Sequence, residues 1–139
     1  YDEQHQEWRA NNFIDLTLGR RIFSTAGDLY QWGKAISDTS LLSAKSIKMM
    51  TSEHTSAVDS TISYGYGWAV HPANSNYSMG NLSLHKPYLI HGGATEGYRS
   101  MLINIDDGTL IIAFLSNIGD RMDEMALSRK ITHILTQQI

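Results

Sequence analysis

The sequence contains no cysteine. That excludes a disulfide framework, thiolate metal sites and a cysteine nucleophile, while fitting the cytoplasm and the periplasm equally well. It also lacks a long apolar run. The longest, Leu110 to Leu115, is far below the roughly 20 residues a membrane-spanning helix requires, so no membrane contact is expected of this chain. The opening stretch, Tyr1 to Asn12, has neither a basic region nor an apolar one, and no export signal is visible there; a chain that begins in mid-protein would leave export open. No block of like charge occurs either. The 11 basic and 14 acidic residues are interspersed, for a net charge of -3, which argues against nucleic acid or another polyanion as partner. The histidines at 5, 54, 71, 85 and 133 show no ligand spacing such as His-x-x-x-His, so no metal and no other cofactor is expected.

What remains is 139 residues, 42% of them hydrophobic, enough for the core of one ordinary domain. Residues 1–23 have no clear period and read as a loop, with a short extended piece around Phe13 to Leu18. A helix is predicted from Thr25, whose hydroxyl can cap it while Asp28 completes a capping-box-like pair; Leu29, Trp32, Gly33 and Ile36 then share a face. A second short helix follows Ser43 as N-cap, with Leu42 and Ile47 as a hydrophobic staple, and ends near Thr51. The alternation from Tyr64 to Val70 reads as a strand with its bulky side chains on one face and a close neighbour against its glycines. Residues 72–86 read as a loop, and a short strand runs from Tyr88 into His91. Gly97 to Ile105 places Met101, Ile103 and Ile105 on one face, Asp106-Asp107-Gly108 supplies a turn, and Thr109 to Asn117 returns. The returning strand is apolar throughout, so both faces need cover, and it reads as central. A last helix begins at Asp120 with Leu127, Ile131, Ile134 and Leu135 on its buried stripe.

Taken in order, the segments Gly19-Arg20-Arg21-Ile22-Phe23-Ser24-Thr25-Ala26-Gly27-Asp28-Leu29, Leu41-Leu42-Ser43, Tyr64-Gly65-Tyr66-Gly67-Trp68, His91-Gly92-Gly93-Ala94-Thr95-Glu96-Gly97-Tyr98 and Leu115-Ser116-Asn117 resemble the second half of the class C β-lactamase, penicillin-binding-protein (DD-peptidase) and esterase family. The resemblance spans roughly residues 19–137. It implies an α+β fold in which an antiparallel sheet is flanked by helices. It also implies that residues 1–139 form a single partial domain, the C-terminal portion of a β-lactamase-like domain without its N-terminal strands and helices. The family's motifs are Ser-x-x-Lys with the nucleophile, Tyr-x-Asn or Tyr-x-Ser, and a strand carrying Lys-Thr-Gly or His-x-Gly. Only the third stands at its expected place, as His91-Gly92-Gly93. Ser83-Leu84-His85-Lys86 spells the first motif but lies in a polar loop, and Tyr98-Arg99-Ser100 spells the second but lies inside a strand; both read as coincidence.

The resemblance therefore implies a serine hydrolase that opens amide or ester bonds through an acyl-enzyme, with this chain supplying one wall of the cleft. The backbone N–H of Ala94 is the implied oxyanion donor, and His91 bonds toward the serine and tyrosine or orients the substrate. Gly92, Gly93 and Thr95 are the implied substrate-binding residues. A strand-end histidine bonded to a carbonyl is the alternative for His91; a turn residue and a solvated carboxylate are the alternatives for Thr95 and Glu96. Tyr64, Tyr66 and Trp68 read as core before they read as pocket. Gly93 stands where Lys-Thr-Gly has a threonine, which leaves esters, amides and small D-amino-acid peptides as open as penicillins. The substrate is a small molecule or short peptide, and the compartment is periplasmic or extracellular if the chain is typical of the family. The strand 109–117 pairs in the family with an N-terminal strand, so here self-association or a retained N-terminal fragment is expected to cover it. The rival function is a non-catalytic binding or sensor module on the same fold.

Overall fold

A computed structural model describes residues 22–55, 59–95, 97–118 and 121–137. Expectations for Phe13 to Leu18, Glu96 and Asp120 fall outside these residues. The elements in chain order are α1 (Ala26–Ala35), α2 (Ala44–Met50), β1 (Ala69–His71), β2 (Tyr88–Thr95), β3 (Tyr98–Ile105), β4 (Leu110–Ser116) and α3 (Glu124–Thr136). The strands form one antiparallel sheet in the order β1-β2-β3-β4, and the fold is α+β as expected. No helix among the described residues is long and apolar enough to cross a membrane.

The sheet is organised on β3, where Met101, Leu102, Ile103, Asn104 and Ile105 are all buried. Strand side chains alternate between faces. Met101, Ile103 and Ile105 therefore join Ala69, Tyr88, Ile90 and Ile112 in one layer, against which Met125, Ile131 and Leu135 of α3 pack. Leu102 faces the other way and joins Ile36 and Trp68, with Val70, Leu89, Ile111 and Ala113 around them. The turn into β4 is Asp106-Asp107-Gly108, all three at positive φ, with Thr109 N–H donating to the Asp106 carbonyl.

Both N-caps expected for the first two helices form. Thr25 Oγ1 accepts from Asp28 N–H at 3.0 Å and donates to the Asp28 carboxylate, and Ser43 Oγ accepts from Ser46 N–H. Helix α1 lies on β3 and β4 through Gly33, where a Cβ would stand 2.9 Å from Ile111 Cγ2. Asn104 fixes the approach by donating to the Gly33 carbonyl at 2.9 Å and to Ser37 Oγ at 2.6 Å. Trp32 does not share this buried face and stays 39% exposed, because at about 100° per residue it is turned away from the line through Leu29, Gly33 and Ile36.

Three expectations need correcting. The stretch from Tyr64 to Val70 is not one strand. Tyr64 bridges to Ala69, Gly65 N–H donates to the Trp68 carbonyl at 2.8 Å, and Gly67 takes φ +82, so the chain reverses between them. The reversal sends Tyr66 out to solvent, stacked on His54 with centroids 4.5 Å apart, while Trp68 is buried. The last helix is capped by Asp123, which accepts from Ala126 N–H at 2.8 Å. Its buried centre is Ser128 and Thr132, both fully inaccessible, whereas Ile134 is exposed. Their hydroxyls bond back to the carbonyls of Glu124 and Ser128, which hides their polarity and lets the helix come close to the sheet. Finally, β4 packs against α1 and puts Ile112 into the layer that α3 closes, but it is an edge strand among the described residues.

Gly65 illustrates a backbone constraint that composition does not reveal: a Cβ there would collide with the main-chain carbonyls of Met50 and Ser52. Neither can rotate away. Gly65→Ala is expected to cost about 1–3 kcal/mol in urea unfolding followed by tryptophan fluorescence. Gly27→Ala on α1, where a Cβ would meet only Thr25 Oγ1 at an ordinary 3.6 Å, is expected to stabilise by up to about 1 kcal/mol, and equal effects at the two positions would contradict the packing described.

Candidate functional site

The strand β2 meets its neighbours unequally. It pairs with β3 along its whole length, Tyr88 with Ile105 through Thr95 with Tyr98. On its other side β1 covers only Tyr88, Leu89 and Ile90. Val70 N–H donates away from β2, to the Ser63 carbonyl at 2.9 Å, so the bonded β1–β2 pairs are those flanking Val70, and Ile90 turns its N–H and C=O toward β1. Alternation along an antiparallel strand then points Gly92 and Ala94 the same way. The chain has already turned away at Trp68, and the main-chain groups of Gly92 and Ala94 border an edge that no strand among the described residues covers.

That edge opens on a cleft of about 300 Å³ lined by Tyr64, Ala69, Met79, Gly80, Ile90, His91, Gly92, Gly93, Ala94, Met101, Glu124 and Met125. Both glycines have a steric reason. A Cβ on Gly92 would stand 3.2 Å from Met101 Cε, and one on Gly93 would fall on Ser100 Oγ. His91 and Ala94 are exposed. Four of the five expected site residues thus line one concave surface. Thr95 does not line it: it closes the β2–β3 hairpin opposite Tyr98, with Gly97 at φ +75. Arg99 Nη1 donates to the carbonyls of Thr95 and Tyr98, both at 2.9 Å, and its Nε lies 3.7 Å from Glu124 of α3. The hairpin tip is thereby tied to the helix that forms the far side of the cleft.

Sequence reasoning did not single out Met79, Gly80, Met101, Glu124 or Met125 as cleft residues. Met79 and Gly80 sit in an aperiodic loop, and Glu124 and Met125 fall inside the helix predicted from Asp120; no local pattern marks either pair. A larger groove of about 700 Å³ opens beside α1, α2 and β1, over Ile36, Ile47, Val70 and Leu89. It holds none of the expected site residues. Among the described residues, no group of three histidine or acidic side chains is placed to hold a metal.

A family model described as Beta-lactamase matches residues 1–135. The chain belongs to the Beta-lactamase family. This is a family of β-lactamase-like serine hydrolases, and the strand with His91-Gly92-Gly93 is where the resemblance locates one wall of its cleft. No curated protein matches the chain, and neither does any solved structure.

Acyl transfer in a serine hydrolase needs a serine with an adjacent base. The single Ser-x-x-Lys of this β-lactamase-family chain, Ser83 to Lys86, is not built for that. Its residues are not helical, and Ser83 is at φ 56 with its hydroxyl on Asn81 Oδ1. Lys86 reaches away to Asp106 at 2.9 Å. The chain by itself is therefore expected to leave a chromogenic cephalosporin and a p-nitrophenyl ester unhydrolysed above background, and to gain no mass with a labelled penicillin. Turnover that survives repurification and disappears in Ser83→Ala would overturn this assignment.

Proposed function

We propose that this chain supplies the oxyanion wall of a serine hydrolase that opens amide or ester bonds through an acyl-enzyme. The observation that carries the reading is the uncovered edge of β2, where the main-chain groups of Gly92 and Ala94 border a concave, glycine-floored surface. In this reading the nucleophile and its base come from a separate Ser-x-x-Lys segment. The serine oxygen bonds to the substrate carbonyl carbon while its proton passes to that base. Negative charge builds on the carbonyl oxygen, and the fixed N–H of Ala94 meets it; such preorganised donors cost no reorganisation when the charge forms. The leaving group departs with a proton, and water then releases the acyl group by the same route.

Gly92 and Gly93 let a substrate main chain lie against the strand as an added strand would, and His91 at the cleft lip bonds toward the nucleophile or orients the substrate. Gly93 has no hydroxyl to meet a carboxylate next to the scissile bond. The proposed substrates are accordingly esters, amides or small D-amino-acid peptides at least as much as penicillins. In a parent protein carrying Ser-x-x-Lys, His91→Ala is expected to lower kcat/KM about a hundredfold with little change in Tm. Unchanged kinetics with a large fall in Tm would assign His91 to the fold, and a parent with no turnover of any ester, amide or penicillin would favour a binding or sensor module.

The outer edge of β4 belongs to the same proposal. Leu110 to Leu115 carries no charge, proline or glycine, a composition that natural sheet edges avoid. The strand is proposed to be covered by a second copy about a two-fold axis, by an exchanged segment such as residues 1–18, or by a retained N-terminal fragment. Light scattering on a sizing column, with intact mass, is expected to find a dimer or a co-purifying fragment. A monomer whose amides at 110–115 exchange rapidly would show the edge to be tolerated bare.

A further inference from the structure

The loop 72–86 forms the wall of the cleft opposite β2 through Met79 and Gly80, yet it contains no helix or strand. Asn74, Gly80 and Ser83 stand at positive φ, so its own backbone preferences do not hold it in place. Ser78 ties it to the Thr61 carbonyl through its N–H at 2.9 Å and its Oγ at 3.1 Å, and a buried ring holds it to the sheet. His71, the last residue of β1, is 1% exposed and lies flat on Tyr88 of β2, with centroids 4.4 Å apart and planes 6° from parallel. Its Nε2 lies 2.7 Å from the Met79 carbonyl and its Nδ1 lies 2.7 Å from Ser75 Oγ. A carbonyl only accepts, so Nε2 carries the proton and Nδ1 accepts from the serine hydroxyl. Beside it, Tyr88 Oη accepts from Leu82 N–H at 2.8 Å and donates to the Gly80 carbonyl at 3.4 Å. Gly80 packs so tightly that a Cβ would stand 2.6 Å from Ile90 Cγ2.

We infer that His71 is a positioning residue for the cleft: as the neutral imidazole it clamps the loop 72–86 to the sheet and so sets where Met79 and Gly80 stand across from Gly92 and Ala94. The inference rests on the reading of that cleft as the substrate site. His71 touches no substrate; it acts through the loop.

The same geometry makes the clamp sensitive to acid. Tyr88 is stacked on the ring and Tyr77 meets it edge-on at 6.1 Å. Beyond Tyr88, Arg129 of α3 donates to the Asn81 carbonyl. Across the larger groove the charged groups are Asp38, Lys48, Glu53 and Asp107. Among the described residues no carboxylate bonds the ring to stabilise an imidazolium. Burial holds the His71 pKa below its ordinary 6.5, against a smaller opposing pull from the Met79 carbonyl. The closed loop thus binds fewer protons than the open one. The clamp is complete above pH 6.5 and is lost as pH falls from there through the lowered native value. The ring's sheet side is fixed by Tyr88, so the loop is the part that gives.

Amide exchange on this chain tests the clamp without any assay of activity. Between about pH 7.5 and about pH 5, the protection factor of the Leu82 amide is expected to fall about tenfold while that of Ile103 holds. His71→Gln, which keeps a donor toward Met79 without a titrating ring, is expected to remove most of the pH dependence, and His71→Phe, which keeps only the stack, to expose Leu82 at every pH. Parallel loss at Leu82 and Ile103, or no change at either, would overturn the inference. In a Ser-x-x-Lys parent, His71→Phe is expected to raise KM with kcat little changed, with His71→Gln restoring KM. A parent inactive toward every substrate would sink the proposed function while the exchange result stood.

Discussion

Burial of β3 on both faces is the constraint on which the other elements depend. Its residues alternate between a layer closed by α3 and a layer closed by α1, and it is hydrogen-bonded along both edges by β2 and β4. A shift of one residue would exchange Ile103, which is completely inaccessible, with Asn104, whose amide donates to Gly33 and Ser37 on the α1 side. One face would then bury an unbonded amide and the other would lose its central isoleucine. Register errors in a half-polar edge strand are cheap, but here both neighbours of β3 inherit a fixed phase. The direction in which Gly92 and Ala94 present their main-chain groups follows from that phase.

The cleft exists because β1 is short, and β1 is short because of contacts on the far side of the sheet. The main-chain carbonyls of Met50 and Ser52, at the end of α2, leave room only for glycine at 65, and the Met50 carbonyl accepts from Tyr66 N–H. The chain is drawn under α2, reverses, and enters the sheet only at Ala69, leaving the rest of β2 without a strand on that side among the described residues. A helix C-terminus thus decides how much of a strand edge stays open. The opposite lip is set separately, by the tie between Arg99 at the hairpin tip and Glu124 in the first turn of α3, and the third side by the loop held on His71. These are three unrelated devices, each acting through main-chain carbonyls or a single ion pair, and together they enclose a surface whose own residues are mostly small or apolar.

Local chemistry was legible where it is decided within a few residues. The caps at Thr25 and Ser43 formed because a hydroxyl three residues ahead of an unpaired N–H satisfies it in any context. The turn at Asp106 to Gly108 formed because these residue types tolerate positive φ. Strict alternation at Met101, Ile103 and Ile105 identified a core face, and the His91-Gly92-Gly93 segment located the strand that borders the cleft. Patterning misled where side-chain character and side-chain environment part company. Ser128 and Thr132 look polar but spend their hydroxyls on their own helix, so the buried stripe of α3 was read with Leu127 and the exposed Ile134 in it and without these two residues. The aromatic alternation after Tyr64 matches a strand in period, yet Gly67 and the α2 carbonyls impose a reversal that period does not encode.

By itself, the sequence determined the fold class, the order of the elements from Thr25 onward, the family, and the glycine-rich strand that carries His91-Gly92-Gly93. Those properties depend on periodicity, capping and motif order, which are written in consecutive residues. Tertiary structure alone decided which edge of β2 is open, that β4 has no strand beyond it among the described residues, and that Met79, Gly80, Glu124 and Met125 stand around His91 to Ala94. It also decided that His71 is buried on Tyr88 with both ring nitrogens engaged. The reason is one of range: these arrangements join segments tens of residues apart, and they are fixed by contacts between carbonyls, rings and sheet edges to which no local pattern is tied.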